Sequence, residues 1–207
     1  MKTKLLAFTL IIAVLTLGAV GTAQADDSKF VVKLGIADVQ PKPNNGTLAD
    51  GAFSVDIGNS FRPSVTLEYL ITPNIGVEVL GAWPFNNDIK LNGNKAASVD
   101  VLPPTLSLQY HFLPEKLVSP FVGVGFNYTF IYNIQRTEML AGLSPDIDNS
   151  WGFAAHAGVD FNLNKNWLLT ADVRWIQMGG DVKLNGKKVG STDIDPWVWG
   201  LAVGYRF

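Results

Sequence analysis

Eight stretches of this chain alternate bulky apolar residues with small or polar ones at a period of two, the pattern of a strand with two different faces. In "PWVWGLAVGYRF", Trp197, Trp199, Leu201, Val203, Tyr205 and Phe207 share one face. Val198, Gly200, Ala202, Gly204 and Arg206 share the other. The same pattern runs through "KFVVKLGIAD", "PSVTLEYLI", "NIGVEVLGAW", "VLPPTLSLQYHF", "FVGVGFNYTF", "WGFAAHAGVDFNL" and "WLLTADVRW". A soluble edge strand exposing six large apolar side chains would aggregate. Something must cover that face.

The connections alternate in length. "TPN", "LPEKLVS" and "NKN" are short and rich in turn formers. The stretches 38–61, 84–98, 131–150 and 177–194 are long and read as external loops. Short turns alternating with long loops are the layout of an outer-membrane barrel. A soluble barrel would turn its apolar register inward. Here the opposite register is small, with Gly123, Gly125, Gly152, Ala154, Gly158 and Gly200, which suits the narrow interior of eight strands. Trp83, Tyr110, Phe112, Trp151, Phe161, Trp167, Trp175, Tyr205 and Phe207 stand near strand ends, where interfacial girdles belong. The expected fold is all-β: an eight-stranded antiparallel transmembrane β-barrel with short periplasmic turns and long extracellular loops.

The N-terminus reads differently. A basic "MKTK", an apolar "LLAFTLIIAVLTLGAVG" and "AQA" at 23–25 have the layout of a cleaved signal peptide. Residues 1–25 are therefore the expected signal and 26–207 the barrel domain, in the outer membrane of a Gram-negative bacterium. A retained membrane helix is the alternative. A formal charge of −2 argues against nucleic acid as a partner. The chain has no cysteine, so no disulfide staples an exported fold.

"NIGVEVLGAWPF", "LPPTLSLQYHF", "PFVGVGFNYT", "SWGFAAHAGVDF", "NWLLTADVRW" and "DPWVWGLAVGYRF" together resemble the OmpW family of small outer-membrane barrels, which includes the AlkL-type proteins of alkane-degrading bacteria. The resemblance implies an eight-stranded barrel with an apolar channel for passive uptake of small hydrophobic molecules. Some members serve as bacteriocin receptors. Tyr205 and Phe207 resemble the C-terminal signal read by the barrel-assembly machinery. Outer-membrane lipid and lipopolysaccharide are the other expected partners.

Register and strand direction sort the inward residues by height. Lys33, Glu68, Glu78, Gln109, His111, Asp160, Asp172, Arg174 and Arg206 fall low in the lumen. Buried charges persist only when paired, so they form a polar plug, for which a static structural network is the simplest role. Leu80, Ala82, Val99, Val101, Pro103, Ile131, Ile176, Met178, Ile194, Pro196 and Val198 fall high. Of these, Leu80, Val101, Ile176, Met178 and Val198 are the candidates for an apolar substrate channel; ordinary packing under the loops is the alternative. Pro103 and Pro104 have no N–H to give to a ladder. They mark either a lateral gap, through which a molecule leaves into the bilayer, or a simple bend or bulge.

No nucleophile motif, metal-ligand spacing or cofactor motif stands out, so neither an enzyme, a metal nor a cofactor is expected. "DIDNS" lacks the Gly and distal Glu of a calcium loop. Asn45-Gly-Thr47 matches a glycosylation acceptor only by pattern. A bacteriocin or phage receptor, and a structural or stress-protective barrel without conduction, remain the rival functions.

Overall fold

The computed structural model describes residues 29–207. The expected signal peptide lies outside the described residues. Eight long antiparallel strands close into a ring: β1 (Phe30–Gln40), β4 (Ser60–Leu70), β5 (Ile75–Ala82), β8 (Thr105–His111), β9 (Val118–Arg136), β11 (Ser150–Asn162), β12 (Trp167–Ile176) and β15 (Trp197–Arg206). The ring closes between the first and last strands, from Val31↔Arg206 to Gln40↔Trp197. The Phe207 amide donates to the Phe30 carbonyl at 2.8 Å.

The apolar register faces outward. Trp151 is 77% exposed, Val124 65% and Phe126 62%. The short turns are held by their own side chains. Thr72 Oγ1 accepts from the Ile75 amide at 3.0 Å, and Asn164 Oδ1 accepts from the Asn166 and Trp167 amides at 2.9 Å each. Beside these turns the rings of Trp167, Tyr205 and Phe207 pack edge to face, as do those of Tyr110 and Phe112. At the other end Tyr128 packs on Trp151 and Phe130.

The long external connections carry further paired strands, which the alternation pattern did not mark. Seven further strands occupy them or run into them: β2 (Thr47–Leu48), β3 (Phe53–Ile57), β6 (Phe85–Leu91), β7 (Asn94–Leu102), β10 (Pro145–Ile147), β13 (Gly179–Leu184) and β14 (Lys187–Asp193). With the upper part of β9 they form a cap in the order β10-β13-β14-β2-β3-β6-β7-β9. The physical reason lies in two Asn-Gly pairs. Asn92-Gly93 has φ of 48° and 81°, and Asn185-Gly186 has 51° and 78°. Two successive residues at positive φ make the tight hairpin turn whose twist matches paired strands. β9 runs through both barrel and cap. Its 19 residues span about 65 Å, far more than the membrane's apolar band.

Alternation breaks once on β9. Asn133 sits at φ 55° opposite a register shift in β7, and its amide donates to Asp100 Oδ2 at 2.6 Å. The extra residue restarts the alternation, so Ile131 and Ile134, three apart, both face the interior.

Candidate functional site

The lumen has two halves of opposite character. In the half nearer the short turns, buried charges interlock. Lys33 Nζ lies 3.3 Å from Asp160 and 3.6 Å from Glu68. His111 Nε2 lies 2.7 Å from Glu68 Oε1, which also accepts from Gln109 Nε2 at 3.0 Å. Thr170 Oγ1 donates to Asp160. Arg174 Nη2 donates to Glu78 at 2.9 Å and to Asp172 at 3.4 Å. Arg206 stands nearer the opening and donates to Asn162 Oδ1 at 3.4 Å. All the low-lumen residues named from the sequence thus occupy this half. Below them a polar mouth of about 1050 Å³ opens between the turns.

These side chains fit because the facing wall is bare. A Cβ at Gly76 would overlap the Glu68 carboxylate, one at Gly200 the Asp172 carboxylate, and one at Gly123 the His156 imidazole. Each polar group lies flat against a neighbouring strand where glycine leaves room.

Sequence reasoning missed two members. Phe121 is buried between the His111 and His156 rings, at 5.5 and 5.9 Å, and Lys33 Nζ stands 5.0 Å from its centroid. That geometry suits a cation–π contact. His156 Nε2 donates to Gln109 Oε1 at 2.8 Å. The signal for Phe121 was available: it lies two residues before Gly123, in the inward register.

In the upper half the wall becomes apolar. A cavity with about 110 Å³ of free space is lined by the eleven upper residues named from the sequence, Leu80 to Val198. The cap extends it with Leu48, Val55, Phe85, Leu91, Ile147 and Val182. Leu140, from the short 3-10 turn Glu138–Leu140, packs at its top. Apolar cavities of this order hold one benzene-sized molecule.

The ladder on this cavity's wall is interrupted. The last β5–β8 pair is Leu80↔Thr105, and the β6–β7 ladder starts at Phe85↔Val101. Between them residues 81–84 face residues 102–104 without register. Both segments are paired on their other sides, through Val65↔Gly81 and Leu102↔Phe130. The Pro104 carbonyl accepts from the Tyr128 amide and from Asn127 Nδ2, each at 3.1 Å. Neither proline has an N–H to give to a ladder.

A closed ring of eight tilted strands with an apolar belt, aromatic rims and a polar-bottomed lumen defines a small outer-membrane β-barrel. Within that class the chain belongs to the OmpW family, whose profile matches residues 26–207. It is 37% identical over 201 residues to Outer membrane protein W of Escherichia coli K12, covering 90% of this chain and 92% of that one. It is 31% identical over 163 residues to Outer membrane protein AlkL of Ectopseudomonas oleovorans, covering 74% and 69%. The crystal structure of outer membrane protein OprG from Pseudomonas aeruginosa matches it with a TM-score of 0.80 at 28% identity, covering 87% of this chain and 96% of that one. The protein resides in the outer membrane of a Gram-negative bacterium, with lipid against its apolar belt.

Proposed function

We propose that this barrel passively admits small hydrophobic molecules from outside and releases them sideways into the outer leaflet. The observation that carries this reading is the coincidence of three features at one level. The apolar cavity ends on a closed polar network, and the ladder interruption lies on the cavity wall beside Leu80, Val101 and Pro103. A hydrophobic molecule in the cavity would shed its apolar surface contacts to enter the charged half, at about 25 cal/mol for each Å². Lipid offers it an equivalent environment through the seam. In this reading Ile176, Met178 and Val198 form the opposite wall, and the paired charges are the plug. The barrel-assembly machinery reads Tyr205 and Phe207.

Uptake by intact cells tests this, with and without the protein, for a poorly soluble hydrocarbon beside a small sugar. The hydrocarbon alone should enter faster. Equal rates with and without the protein remove the transport reading. The seam has its own test, since the chain has no cysteine of its own. Cysteines at Gly81 and Leu102, joined by a cleavable cross-linker, should block hydrocarbon uptake until the link is cut. Full uptake with the link in place would exclude the sideways route.

A further inference from the structure

We infer that the inner end of the cavity selects compounds bearing one neutral oxygen acceptor, such as a ketone or ester carbonyl, over plain hydrocarbons and over carboxylates. This rests on the uptake reading and names its substrate class.

The cavity wall is apolar until its inner end, where Lys33, Thr66, Glu78, Thr170, Asp172 and Arg174 line it. Two donors there are buried without a hydrogen-bond partner among the described residues: Arg174 Nη1 and Thr66 Oγ1. Arg174 itself is 3% exposed. Thr66 stands on the β4–β5 wall, and Arg174 reaches that wall from the opposite side. Thr66 registers with Leu80, the last rung before the seam, and Glu68 with Glu78 two rungs below, the next pair on the same face. Arg174 is anchored on that same Glu78. Guanidinium N–H groups only donate, and a threonine hydroxyl can donate as well. Unpartnered buried donors are costly, and a ligand oxygen between them relieves both at once.

Charge decides which oxygen. Arg174 already faces Glu78 and Asp172, and Lys33 already faces Asp160 and Glu68. Neither cation is uncompensated, so an anionic head would meet four carboxylates and no free positive charge. A neutral acceptor gains a charge-assisted hydrogen bond without that repulsion. Held there, the ligand keeps its head below the seam and its apolar body beside it.

The test uses the full barrel in lipid nanodiscs, with isoleucine methyl and arginine guanidinium groups labelled for NMR. The ligands are ethylbenzene, acetophenone and benzoate, alike in size. The Ile176 methyl reports filling of the cavity by any of them, and Arg174 reports the head group. Acetophenone should bind about tenfold tighter than ethylbenzene. Benzoate should bind weakest, and the Arg174 resonance should move with acetophenone alone. Thr66→Val should reduce the acetophenone preference to about threefold or less. Arg174→Lys, which keeps a cation against Glu78, should do likewise. If Ile176 responds to ethylbenzene and acetophenone with equal affinity, the selectivity is wrong and the uptake reading stands. Benzoate binding tightest also overturns it. If no ligand moves Ile176, both readings fall.

Discussion

Arg174 and Glu78 join opposite walls of the barrel. β12 and β5 stand four strands apart in a ring of eight, and the two side chains meet at 2.9 Å. One ion pair therefore crosses the whole lumen where the apolar cavity ends. Both residues are buried, so the pair persists because neither partner has water to turn to.

Arg174→Ala should destabilise the barrel by roughly 3–5 kcal/mol, because Glu78 is left as an uncompensated buried charge. Adding Glu78→Ala should recover part of that loss. Urea unfolding of the reconstituted single and double variants measures it, and strictly additive losses would show that the two residues are not coupled.

Gly123→Ala should displace His156 from Gln109. The expected cost is about 1–3 kcal/mol, the usual range for overpacking. The same substitution at Gly93, where nothing lies near the added atom, tests turn strain alone. A Gly123→Ala barrel with an unshifted His156 imidazole resonance would contradict the close approach.

Leu80→Arg should abolish hydrocarbon uptake while leaving folding intact, since the side chain is half-buried and lines the cavity at its seam. A receptor role carried by the cap would survive this change. Uptake and receptor binding measured on the same cells separate the two.

Asn45 rivets the cap. Its amide donates to the Asp193 carbonyl at 2.9 Å and the Lys42 carbonyl at 3.1 Å, and its Oδ1 accepts from the Ile57 amide at 2.8 Å. Asn45→Ala should lower local cap stability by about 3 kcal/mol. Hydrogen exchange at the β14 amides should quicken, with the barrel amides unchanged. The same burial leaves this Asn no free amide for a sugar, although its sequence matches an acceptor pattern.

Lys42 stands outside the membrane and donates to Asp195 at 2.8 Å. That hydrogen bond raises its pKa above the usual 10.5. Its stabilising contribution is full below 10.5 and is lost as pH rises through the higher folded value. Cap exchange rates should rise in that alkaline window, and Lys42→Met should flatten the rise. Equal pH profiles for both proteins would remove Lys42 as the cause.

The eight barrel strands and the division of the lumen were legible because period two places every side chain, and a narrow interior tolerates few of them. Lys33, Glu78 and Arg174 could be set low, and Leu80 and Val198 high, from register and direction alone. The cap was not legible by the same means. Its strands are short, bulged at Asn133 and at Val189, and poor in strict alternation. The Asn92-Gly93 and Asn185-Gly186 turns carried the missing signal. Which donors stay unpaired, at Thr66 and Arg174, depends on side-chain reach across the lumen, and no spacing along the chain encodes that.

The rim of the cap also sets an order of events. Asn45 and Asp193 are 148 residues apart, and the single β2–β14 rung, Leu48↔Gly190, is nearly as remote. Contacts so distant form only after the intervening chain is in place. Ring closure at Phe30 and Phe207 spans still more of the chain, so the apolar chamber and the ring are both completed only when the C-terminal strands β14 and β15 arrive.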